Sequence, residues 1–225
     1  MDVFNIVKSI EKLIFELLMW VVFYPYTLVR VIFQPRAMLD YARAESLKDE
    51  AIAFDSGMKP SIFLFLSIVI AAYLEPVRAA EFAATGDTVI GGYLMASPVN
   101  ILIVRMVLYS LFPISFALLD DLLTPGKVTR HTLQIPFNQQ CYICAPFALF
   151  NSAASVYQGH NGGLIAGGLL AAAQLWLVGA NYVFFRTQSQ KGRLAAVGLS
   201  LGGFALAWLV FFIVLTLALT YKTAS

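Results

Sequence analysis

Apolar runs long enough to cross a bilayer recur along this chain, and they leave it few folds. The hydrocarbon core is about 30 Å thick, so a crossing helix needs about 20 predominantly apolar residues. Five such runs follow residue 60, at 61–77, 98–119, 137–157, 164–185 and 194–221. In lipid every backbone polar group needs a partner within its own segment, and these runs lack the apolar–polar alternation of barrel strands, so helices are expected. Hydrophobic residues make up 60% of the chain and charged residues 12%, too little polarity for a soluble chain of this length to cover its apolar surface. The expected fold is all-α: a polytopic membrane helical bundle of about five transmembrane helices, preceded by an interfacial amphipathic helix. Residues 1–59 are read as N-terminal interfacial and cytoplasmic helices, and 60–225 as the bundle.

Before the bundle, Asn5, Lys8, Ser9, Lys12, Glu16, Thr27, Arg30 and Gln34 recur near helical spacing among bulky apolar residues. Trp20, Tyr24 and Tyr26 suit the headgroup level, which predicts one or two helices lying in the interface and bent near Pro25. The rival reading is a sixth span over 13–33, at the cost of burying Glu16 and Arg30. The mixed opening charges, Asp2, Lys8, Glu11 and Lys12, do not suit a cleaved leader. Residues 35–59 read as a solvated amphipathic helix with a loop at Ser56-Gly57, or else a docking surface for a partner, with no phosphate loop and no nucleic-acid patch.

The basic residues Lys127, Arg130, Arg186, Lys191 and Arg193 fall on the same side as those of the N-terminal region, whereas the other side receives Arg78 and Lys222. The basic side is expected to be cytoplasmic, which puts the N-terminus inside and the C-terminus on the far side.

Few residues invite chemistry. Arg105 lies inside a span, where it either pairs with Glu75 at the outer boundary or lines a substrate path. The pair Asp120-Asp121 suits a solvated helix end better than a cation site, and His131 suits polar surface. Cys141 and Cys144 open a span with no second ligand pair elsewhere, so small-residue packing is expected rather than a metal or disulfide. Gly163 with Gly167, and Gly198 with Gly202, are spaced for close helix contact. No catalytic, cofactor or metal site is expected.

The amides are more informative. About a turn near Asn161 the spans fold back on one another. Asn151 lies ten residues from it and Gln174 thirteen, while Gln140 lies twenty-one away and Asn181 twenty. An amide in hydrocarbon needs partners, which predicts a seam joining Asn151 to Gln174 and Gln140 to Asn181, flanked by close packing at Gly167 and Gly168.

The order of the spans, the proline-bounded entries Phe33-Gln34-Pro35 and Lys59-Pro60-Ser61, and Phe137-Asn138-Gln139-Gln140-Cys141-Tyr142 leading into a span resemble the Yip1-like family of five-span membrane proteins, over roughly 34–221. The resemblance implies a non-enzymatic membrane protein that organises partners or lipids, or a permease-like component of a larger assembly, and the compact loops suit a bacterial inner (plasma) membrane. The leading expectation is a scaffold or accessory subunit contacting membrane lipids and other membrane subunits or copies of itself. The alternative is a small transporter or permease using Arg105 and the amides. A lipid-modifying enzyme would need more acids than Asp120 and Asp121.

Overall fold

The computed structural model describes residues 3–49, 52–55, 57–74, 89–158 and 163–220. Among them are eight helices and no strand: α1 (Val3–Phe33), α2 (Pro35–Ser46), α3 (Pro60–Leu74), α4 (Val89–Ala96), α5 (Pro98–Leu122), α6 (Arg130–Gln158), α7 (Gly163–Thr187) and α8 (Arg193–Thr220). The protein is an all-α membrane helical bundle. Four helices, over Lys8–Phe33, Pro98–Leu122, Gly163–Thr187 and Arg193–Leu217, are long and apolar enough to cross a membrane.

Local chemistry sets the helix starts. Pro35, Pro60 and Pro98 stand at the first position of α2, α3 and α5, where the missing N–H costs nothing. Ser97 caps α5 by accepting the Val99 N–H at 3.2 Å. At the start of α6, Thr129 accepts the Thr132 N–H at 3.2 Å while Thr132 accepts the Thr129 N–H at 2.9 Å. This pulls the beginning of α6 back to Arg130, seven residues before the expected span.

The bundle is built around α6, which packs against α1, α2, α3, α5 and α7. Every residue from Gln139 to Ala148 is buried, so this stretch is enclosed on all sides. That enclosure explains why the helix with the most amides is not among the four apolar ones: protein, not lipid, is its solvent. One face meets α3, where the Tyr142 ring lies 5.6 Å from Phe63 and the Ser152 hydroxyl donates to Ala71 O at 3.0 Å. Another face carries Phe147 to Phe112 of α5 at 4.9 Å and to Trp208 of α8 at 6.3 Å. Lipid tails are as apolar as these rings, so the gain is shape fit and dispersion rather than escape from water.

Three expectations are refined. First, the N-terminal segment, read as one or two helices, is one continuous helix with Pro25 inside it. In its second half Tyr24 touches α3, reaching Ser67 through a 2.9 Å hydrogen bond and lying 5.2 Å from the Phe63 ring. At about 1.5 Å per residue, Glu16 stands about 25 Å from the Phe33 end, so a crossing α1 would carry that charge near the far edge of the hydrocarbon. Second, α2 is not merely solvated, for it buries Met38, Leu39, Ala42 and Glu45. Third, a Cβ added at Gly163, Gly167, Gly168, Gly198 or Gly202 would meet nothing within 4 Å, so within one chain these glycines do not bring helices together. The close approach is at Gly203, where a Cβ would stand 2.6 Å from the Phe116 ring of α5.

Glu45 fastens the segment that follows α2. Its carboxylate receives the Lys48 ammonium at 2.6 Å and the Phe54 N–H at 2.9 Å, and Phe54 turns the chain at φ 65°. The Lys48 contact and the Phe54 N–H hold its pKa below the ordinary value of 4.5 against the opposing effect of burial. A depressed carboxylate stabilises the fold fully above its unfolded value and loses that contribution as pH falls through the folded one. The melting temperature of the wild type should therefore fall more steeply below pH 4.5 than that of Glu45→Gln; parallel curves would show that the contact carries no stability.

If α1 crosses with the other spans, Lys8 lies on the face opposite Lys191. In a background lacking Cys141 and Cys144, an impermeant thiol reagent added outside intact cells should label Lys8→Cys and spare Lys191→Cys. Labelling of both, or of Lys191→Cys alone, overturns this arrangement.

Candidate functional site

At the end of the bundle where the basic loops gather lies a cavity of about 400 Å³. Arg43 of α2 lines one side, Asp120 and Asp121 close α5, the loop through Lys127 leads to His131 and Thr132 of α6, and Gln188, Ser189 and Gln190 follow α7. Its floor is Gln139, 2% exposed, whose Nε2 donates to Leu39 O and to Gln188 Oε1, each at 3.0 Å. Gln188 Nε2 in turn donates to Asp40 Oδ1 at 2.7 Å. The Ser189 hydroxyl donates to Asp120 Oδ1, and Thr132 Oγ1 to Asp121 Oδ2 at 3.0 Å. The two acids expected at a plain helix end thus hold two neighbours, Asp120 the loop after α7 and Asp121 the first turn of α6, and Gln190 in that loop takes φ 52°. Among the described residues no group of three or more His, Cys, Asp or Glu side chains is placed to hold a metal.

Deeper in, the expected seam is present in part. Gln174 Nε2 donates to Asn151 Oδ1 at 3.3 Å, as the depth count predicts. The link extends on both sides, since Asn151 Nδ2 donates to Tyr109 Oη at 3.2 Å and Trp208 Nε1 to Gln174 Oε1 at 3.3 Å. One polar chain therefore ties α5, α6, α7 and α8 together. The second expected pair does not form. Asn181 is fully buried, but its Nδ2 turns back to Leu177 O of its own helix at 3.0 Å, the short side chain preferring the i−4 carbonyl, and its Oδ1 has no partner. Gln140, also fully buried, has no hydrogen-bond partner for either amide atom.

Arg105 is half-buried on α5; Glu75, its expected partner, lies outside the described residues. Cys141 and Cys144 are buried free thiols packed in the core, as their place at the opening of a span suggests. Sequence reasoning missed Gln139, Tyr109 and Trp208 as polar partners. Gln139 carried a signal, being the twin of Gln140 in the same amide run. Gln188 and Ser189 carried none, because a loop residue gains its role only from what folds over it.

No family model, curated protein or solved structure matches the chain.

The two interior amide groups should respond oppositely to leucine. Gln174→Leu strips partners from both Asn151 and Trp208 and should lower stability in detergent by about 1 kcal/mol or more. Gln140→Leu removes an unpartnered buried amide at similar volume and should leave stability equal or higher. Equal losses in the two variants would mean that Gln140 is bonded after all.

Proposed function

We propose that this membrane protein is a small permease-like carrier that admits a polar solute from its basic end. The observation that supports this reading most is Gln140, an amide enclosed in the bundle with neither donor nor acceptor satisfied. A structural amide in a membrane finds partners, as Asn151 and Gln174 do, whereas one kept unpartnered suits a group that exchanges partners with a passing ligand. Gln140 follows directly on Gln139, the cavity floor. Asn181, with its open Oδ1, lies seven residues or about 10 Å below Gln188 of the cavity wall. Farther from the basic end Phe112, Phe147, Trp208 and Phe211 pack together, with Phe112 at 5.3 Å from Trp208 and 5.9 Å from Phe211, and in this reading they close the far side. An open polar mouth, unpartnered amides midway and an aromatic plug are the parts an inward-facing carrier needs. Amides donate and accept alike, which favours a neutral or zwitterionic solute.

In this reading the basic end faces the cytoplasm of a bacterial cell, by the asymmetry of lysine and arginine, and no bond is made or broken. Membership of the Yip1-like family belongs to the same proposal, supported by the order of the helices that follow α2. The scaffold reading is the rival. It rests on the small extramembrane mass and has no site of its own.

The test uses the chain alone in proteoliposomes, with a panel of labelled neutral amino acids and polyols as probes. Saturable uptake of at least one probe is expected, together with its loss in Gln140→Leu at undiminished stability. Uptake that survives Gln140→Leu, or no uptake together with a stoichiometric protein partner in mild detergent, overturns the carrier and leaves the scaffold.

A further inference from the structure

A second hollow, of about 670 Å³, opens on the flank of the same end between the junction of α1 with α2 and the last turns of α7. Its chemistry is divided. Phe33, Tyr182 and Val183 give it an apolar side, while Arg36 and Arg186 stand at its polar side. Phe33 is 77% exposed although it ends the apolar run of α1, which places an unshielded ring where hydrocarbon gives way to headgroups. We infer that this groove holds one anionic phospholipid, its phosphate between Arg36 and Arg186 and an acyl chain along Phe33, Tyr182 and Val183.

The charge count favours this occupant. Against the two guanidinium groups stands one carboxylate, Asp40, whose Oδ1 already accepts from Gln188 Nε2 at 2.7 Å. Among the described residues neither arginine is in an ion pair. Arg186 Nη1 is held by Lys191 O at 2.7 Å, which orients the guanidinium and leaves its other donors for a planar, bidentate grip on phosphate. The first turn of α2, which has no side-chain cap, lies in the same groove and adds a weak preference for negative charge. A zwitterionic choline headgroup would bring its own cation beside two arginines. A free anion would leave the apolar side uncovered.

The full chain, purified in mild detergent, is titrated with phosphatidylglycerol, phosphatidylcholine or inorganic phosphate while its melting temperature is followed. Saturable stabilisation by phosphatidylglycerol alone is expected. Arg36→Gln should weaken its midpoint about five-fold and Arg186→Gln should weaken it further when added. Arg193→Gln, at the same end but outside the groove, should leave it unchanged. Arg36 is exposed, so the single variant remains a folded protein to measure even where the double variant is not. An equal response to phosphatidylcholine, a response to inorganic phosphate as large as that to the lipid, or the same loss in Arg193→Gln as in Arg36→Gln overturns the assignment.

Discussion

A helix that carries six amides and two prolines has a place in a membrane only when other helices stand between it and lipid, and the bundle is arranged around that need. The central turns of α6 are enclosed by α1, α2, α3, α5 and α7. Among the enclosing helices α3 and α5 can be largely apolar because α6 concentrates the polarity. Where its amides find partners, at Asn151 and Gln139, they fasten neighbouring elements; where they do not, at Gln140, the interior keeps an unmet demand for hydrogen bonds.

The same helix organises the basic end. Asn138 Nδ2 donates to Ser46 Oγ at 3.0 Å, Gln139 reaches Leu39 O, and the Tyr142 hydroxyl donates to Met58 O, so successive residues of α6 seat α2 and the chain that follows it. Gln188 completes the frame by joining α7 to Asp40. With α2 held in this way, Arg43 comes to the mouth of the cavity and Arg36 to the flanking groove. A surface helix read as solvated thus lines two hollows, the cavity over Gln139 and the groove on the flank.

The contact of α1 with α3 is satisfied in its polar groups. The Tyr24 hydroxyl bonds to Ser67, so the apolar flank offers no orphaned polar group where the two helices touch. Much of the rest of the apolar surface of α1 stays exposed, including Phe15, Leu18, Val21 and Val22, and lipid is the medium that suits it.

Length and apolar content alone determined that the chain is a helical membrane bundle, because in hydrocarbon the backbone has no other way to satisfy itself. Counting residues from the turn also sufficed to match Asn151 with Gln174, since depth along two antiparallel helices follows from the fixed rise per residue. Rotation about the helix axis was another matter. Periodicity tells which residues share a face, but not which neighbour that face meets, so the count matched Gln140 to Asn181 in depth while the fold turned the Asn181 amide back onto Leu177. The same limit applied to glycine: spacing picked out Gly198 and Gly202, whereas packing against Phe116 picked out Gly203. Only the tertiary structure joined α1 to α3 through Tyr24 and brought Gln188, Ser189 and Arg186 to polar sites, because those roles arise from contacts between segments far apart in the chain.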